Sequence, residues 1–134
     1  MRRLVLSVAA AAAVGAGVVL VARPAATQAP AVAAPPGVRI RVQVLNATPT
    51  RGLARRATSF LRDRGFDVVD VGTAPETRDS TLVLDRSGNA AWSRLVAQAL
   101  GGARVEPRPD SSRYLDVTVL VGRDWTPPAQ PFYP

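Results

Sequence analysis

From residue 38 the chain alternates: Val38, Ile40, Val42 and Val44 fall on one side, and Arg39, Arg41 and Gln43 on the other. That is the period of a half-buried β-strand. Asn46, Thr48 and Thr50 around Pro49 then read as a turn rich in helix-capping residues. The period changes after the turn. Leu53, Ala57, Phe60 and Leu61 recur at i, i+4, i+7 and i+8, with Arg51, Arg55 and Arg62 opposite and Gly65 after the last turn, which predicts an amphipathic helix with its stop signal. Residues 66–71 are short and β-branched, 72–79 form a loop around Pro75, and 81–85 read as a third strand. Trp92, Leu95, Val96, Ala99 and Leu100 repeat the helical spacing between Ser87-Gly88-Asn89, read as a cap, and Gly101-Gly102, read as a stop. A brief strand is expected at 103–105, and at 115–121 Val117, Val119 and Val121 oppose Asp116, Thr118 and Leu120.

The order β-α-β-β-α-β, with an extra edge, gives an α+β fold. Two helices cannot cover both faces of such a sheet, so the expected form is ferredoxin-like, with both helices on one face. The uncovered face would display Arg39, Arg41 and Gln43. Asp67 and Asp70, an odd step apart, are expected on opposite faces of their strand.

Residues 4–22 carry no charge and a single polar residue, Ser7, between Arg2-Arg3 and Arg23. Such a helix would cover roughly 28 Å, about the thickness of a bilayer's hydrocarbon core. The arginine bias orients it N-in, with the remainder outside the cytoplasm. Residues 1–23 are thus expected to be a single-pass transmembrane helix at the cell membrane. The alternative is secretion after signal cleavage near Ala31-Val32-Ala33. Residues 24–37 read as an Ala/Pro-rich linker, 38–125 as the folded domain and 126–134 as a Pro-rich tail.

Composition limits the chemistry. The chain of 134 residues has 17 basic residues, all arginine, against 10 acids, and it lacks histidine, cysteine and lysine. No imidazole base, thiol nucleophile, thiolate metal ligand or Schiff-base amine is therefore present. The two glutamates, Glu76 and Glu106, stand next to prolines in expected loops, where nothing rigid would hold a carboxylate pair. No catalytic residue, metal or cofactor is expected.

The segment Val42-Gln43-Val44-Leu45-Asn46-Ala47-Thr48, then Gly52-Leu53-Ala54, then Leu61 to Val68 as L-x-x-x-G-F-x-V, resembles the opening of the LytR C-terminal domain family. The segment Asp116 to Trp125 resembles its closing strand, D-V-T-V-x-x-G-x-D followed by an aromatic residue. Ala47 stands where the family usually has glycine. The resemblance spans 38–125 and implies a stand-alone, membrane-anchored actinobacterial form. It lacks the LytR-CpsA-Psr phosphotransferase domain that attaches glycopolymers to peptidoglycan. It also implies a cell-envelope role, with no transcriptional one for a domain held outside the cytoplasm.

The folded part carries 14 arginines against 10 acids, with Arg39, Arg41, Arg51, Arg55, Arg56, Arg62 and Arg64 gathered in its first half. Arg39, Arg41, Arg55 and Arg56 are the candidate ligand-binding residues for anionic wall polymer or lipid, through bidentate contacts. Asn46 and Thr48 join them as short polar groups at a strand end, where capping the next helix explains them equally well. Nucleic acid is not expected, because no aromatic residue is interleaved with the arginines. The second reading is a scaffold that docks onto a glycopolymer phosphotransferase or another envelope protein.

Overall fold

The computed structural model describes residues 31–111 and 114–128. The expected membrane span, the first half of the linker and the end of the tail lie outside the described residues. Among those described, no helix is long and apolar enough to cross a membrane.

Five strands and two helices follow one another as β1 (Arg41–Asn46), α1 (Leu53–Asp63), β2 (Asp67–Thr73), β3 (Leu82–Asp85), α2 (Ala90–Ala99), β4 (Arg104–Pro107) and β5 (Val117–Val121). They form one sheet of order β2-β1-β5-β3-β4. The fold is α+β with two helices, as the periodicity predicts, but the strand order is not ferredoxin-like. In a split β-α-β unit another strand separates the two that a helix connects. Here β1 lies directly beside β2, and β3 directly beside β4, each pair parallel. The fifth strand separates the two units, parallel to β1 and antiparallel to β3. Burial explains the choice: every residue of β5 but Leu120 is buried, which suits a strand flanked on both sides, whereas β2 exposes four of its seven residues and takes an edge.

One face of the sheet carries Val42, Val44, Val83, Val117, Val119 and Val121 into a single core with Leu53, Ala57 and Leu61 of α1 and Val96, Ala97 and Leu100 of α2. Both helices therefore lie on that face. Phe60 meets Trp125 edge-on, ring centroids 5.7 Å apart, so Trp125 seals the core against α1. Gly65, at φ 85°, makes the left-handed turn that the sequence predicts after α1. Asn89 caps α2, its side chain accepting the Trp92 N–H at 3.2 Å.

Gly122 fixes how β5 leaves the sheet. Its N–H donates to the Thr81 hydroxyl at 2.9 Å, and a Cβ there would overlap the Ser80 carbonyl carbon and lie 2.7 Å from its oxygen. Asp124 completes the clasp, accepting the Thr81 N–H at 2.9 Å and the Thr81 hydroxyl at 2.8 Å. Gly122→Ala should therefore cost about 2–3 kcal/mol by overpacking. A drop in Tm of roughly ten degrees in thermal denaturation would register it.

Candidate functional site

The face without helices is ordered by the register of its strands. Leu45, Leu120 and Leu82 stand side by side across β1, β5 and β3, with Gly72 and Arg104 at the ends. The next row holds Asp70, Gln43, Thr118, Leu84 and Glu106. A relay of hydrogen bonds runs along it. Arg86 donates to the Thr118 hydroxyl at 3.0 Å, Thr118 donates to the Gln43 carbonyl oxygen at 3.0 Å, and the Gln43 amide donates to Asp70 at 2.6 Å. Below it, the buried Asp116 carboxylate accepts both the backbone N–H of Arg41 at 2.8 Å and its guanidinium at 3.2 Å.

Arg41 and Gln43 thus lie on the open face as expected, but neither is free: both are tied into the sheet. Arg39 is exposed and ion-paired with Asp67. The expectation that Asp67 and Asp70 diverge is corrected. The β1–β2 register shifts between Val42 and Gln43, inserting Val69 as an extra residue. Asp67 and Asp70 then bond Arg39, just before β1, and Gln43 within it, two positions of one alternating set.

Asn46 and Thr48 do not cap α1. The cap position is Gly52, in the left-handed region at φ 79°. Asn46 instead closes its own turn: its carbonyl oxygen accepts the Thr48 N–H at 3.0 Å and hydroxyl at 2.7 Å, and its amide donates to the Thr50 carbonyl at 2.8 Å. Every side-chain polar atom of the two residues is thereby engaged within the turn, and Thr48 is buried. They hold the loop rather than reaching outward.

The arginines at the start of α1 behave differently. Of the arginines in the described residues, Arg39, Arg41, Arg104, Arg108 and Arg123 meet carboxylates. Arg62, Arg64, Arg78 and Arg86 donate to backbone carbonyls or a hydroxyl. Arg51, Arg55 and Arg56 are exposed and have neither kind of partner, as has Arg94 by itself on α2, and α1 has no acid in its first turn. The fold so divides the six sequence candidates between the ends of β1. Arg39 and Arg41 sit at its start, neutralised. Asn46 and Thr48 lie at its end, with Arg55 and Arg56 just beyond on α1. Arg51, which opens the exposed trio, was visible in the sequence only as one more polar-face residue; its significance comes from the absence of a partner.

Two further carboxylates are tied into the fold. Asp85 is buried and accepts the Gly88 N–H at 3.0 Å, and Glu106 lies between Arg104 and Arg108. Among the described residues no cluster of side chains could hold a metal ion.

A protein-family model described as LytR cell envelope-related transcriptional attenuator matches residues 39–125. A solved structure, titled the solution structure of the C-terminal domain of RV0431, is similar at 28% identity over 87% of this chain and 95% of that one, with a TM-score of 0.42. No curated protein matches.

The division between tied and free side chains can be checked by stability alone. Thr118→Val leaves Gln43 and Arg86 each short of a partner and should cost about 1–2 kcal/mol. Arg55→Ala and Arg56→Ala should leave the unfolding midpoint in urea unchanged.

Proposed function

The chain belongs to the family described as LytR cell envelope-related transcriptional attenuator, and from that membership we propose that it is a non-catalytic, extracytoplasmic module that binds anionic cell-envelope polymer. The observation that carries this reading is the trio Arg51, Arg55 and Arg56, exposed and unpartnered at the start of α1 while most other described arginines are engaged. Guanidinium groups present planar, paired donors suited to phosphate or carboxylate oxygens. In this reading the polymer is peptidoglycan or a glycopolymer linked to it, and residues 1–23 hold the domain at the membrane.

Polymer is favoured over lipid by what α1 does with its apolar residues. A helix that settles into a bilayer surface needs a free apolar face. Leu53, Ala54, Ala57 and Leu61 are all buried in the core, and the outward positions Arg51, Arg55, Arg56, Ser59, Arg62 and Asp63 offer no wedge.

Co-sedimentation of the full chain, in non-ionic detergent, with isolated cell wall tests the reading. Three exposed ionic contacts are each worth little, yet together they amount to about tenfold in affinity. Replacing Arg51, Arg55 and Arg56 with alanine should weaken binding by that factor, and high salt should abolish it. Arg94→Ala, which removes another exposed and unpartnered charge from α2, should change nothing. Equal losses in both variants, or binding to anionic vesicles without binding to wall, sink the proposal. Undiminished sedimentation of the triple variant leaves the alternative, docking onto a glycopolymer phosphotransferase or another envelope assembly.

A further inference from the structure

The two edges of the sheet are built differently. On β4 the edge is four residues long, ends at Pro107, which has no N–H, and is lined by Glu106 bridging Arg104 at 3.2 Å and Arg108 at 3.6 Å. Short length, proline and charge are the ordinary ways of keeping a strand edge from pairing. The β2 edge is seven residues long and carries Val69 and Val71, 47% and 43% exposed, the only large aliphatic residues exposed among those described.

The ladder shows which backbone groups face outward. Ala74 donates its N–H to the Asn46 carbonyl, and alternate residues of a parallel strand bond the same neighbour. Asp70 and Gly72 therefore turn toward β1, and Val71 and Thr73 present their N–H and C=O groups to the open edge. Before the bulge, Asp67 donates to the Ile40 carbonyl and so turns inward, which leaves Val68 outward. Its carbonyl is already occupied by the Arg62 guanidinium at 2.8 Å. The open stretch thus begins after Val68, ends before Ala74, and has Val71 at its centre.

We propose that this edge pairs with β2 of a second copy of the chain, antiparallel and centred on Val71, to give a continuous sheet of ten strands. A two-fold interface must be self-complementary, and this register meets the condition. Val71 faces Val71 of the second copy, Val69 faces its Thr73, and Asp70 faces its Gly72. No carboxylate opposes another, and the glycine leaves room for the aspartate. The alternative centre at Val69 would place the pairing over the carbonyl that Arg62 occupies. The arginine trio takes no part, so this interface stands or falls separately from polymer binding.

The absence of cysteine makes the test clean. In the full chain in non-ionic detergent, Val71→Cys should cross-link to itself under mild oxidation or with a short bismaleimide, because directly opposed Cβ atoms approach to about 5 Å. A mixture of the Val69→Cys and Thr73→Cys chains should cross-link to each other, and Arg104→Cys on the other edge should not. Adding Val71→Lys to the Val69→Cys and Thr73→Cys chains should abolish their product, since it sets two ammonium groups against each other across the axis. Circular dichroism should show that fold unchanged, the site being exposed. No product from Val71→Cys, equal product from Arg104→Cys, or product surviving Val71→Lys would each overturn the proposal. So would protection of the β2 amides that appears only when a different envelope protein is added.

Discussion

The last strand of the chain lies in the middle of the sheet, and the architecture depends on that insertion. Each β-α-β unit alone is a pair of parallel strands under one short helix, with little apolar surface to bury. β5 supplies what each half lacks: Val117 and Val119 pack beside Val42 and Val44 in one direction, and Val119 stands beside Val83 in the other. These contacts join residues far apart in sequence, so the loops must close before any of the burial is gained. Polar bonds then fix the register at both ends of the strand. Asp116 takes the Arg41 N–H at one end, and Asp124 takes Thr81 at the other.

This explains why the resemblance in sequence includes both the first strand and the last. Read linearly, D-V-T-V looks like a surface strand with one polar face. In the fold, Asp116 and Thr118 are buried and bonded to the neighbouring strand, Asp116 to Arg41 just before the opening motif and Thr118 to Gln43 within it. The two motifs are halves of one hydrogen-bonded seam. Polarity at these positions reflects the need to satisfy each other's buried groups, which is costly to leave undone.

The sequence revealed local structure and concealed pairing. Helix periodicity, Gly65 and Asn89 were readable because they act within a few residues. The ferredoxin-like order failed because nothing local says that β5 enters between the units; only its near-complete burial does. The bulge at Val69 was hidden for the same reason, since a bulge is defined by the partner strand. It overturned the face assignment of Asp67 and Asp70, as any one-residue slip must. Asn46 and Thr48 were correctly recognised as turn residues, but their bonds stay inside the turn because Gly52 supplies the left-handed conformation from which α1 starts. The arginines were the least legible feature. Composition counts charges and cannot say which are answered. Arg39 and Arg41, which the strand pattern singles out, have carboxylate partners, and most of the unanswered charge lies at the start of α1.

The two proposals fit one geometry. A two-fold axis through Val71 runs perpendicular to the sheet and leaves each half's faces on the side where they began. Both α1 helices would then lie next to each other on the same side of a ten-stranded sheet, pointing in opposite directions, with their arginine trios at the two ends. Weak exposed contacts gain most from such an arrangement. A polymer repeating its anionic groups along a chain meets the second trio at an effective concentration set by the span, so a modest single-site affinity is multiplied without a new contact. A small anion engages one trio at a time and gains nothing. The preference for a long polymer over a free phosphate would then lie in the spacing of two identical patches, while each patch alone recognises no more than negative charge.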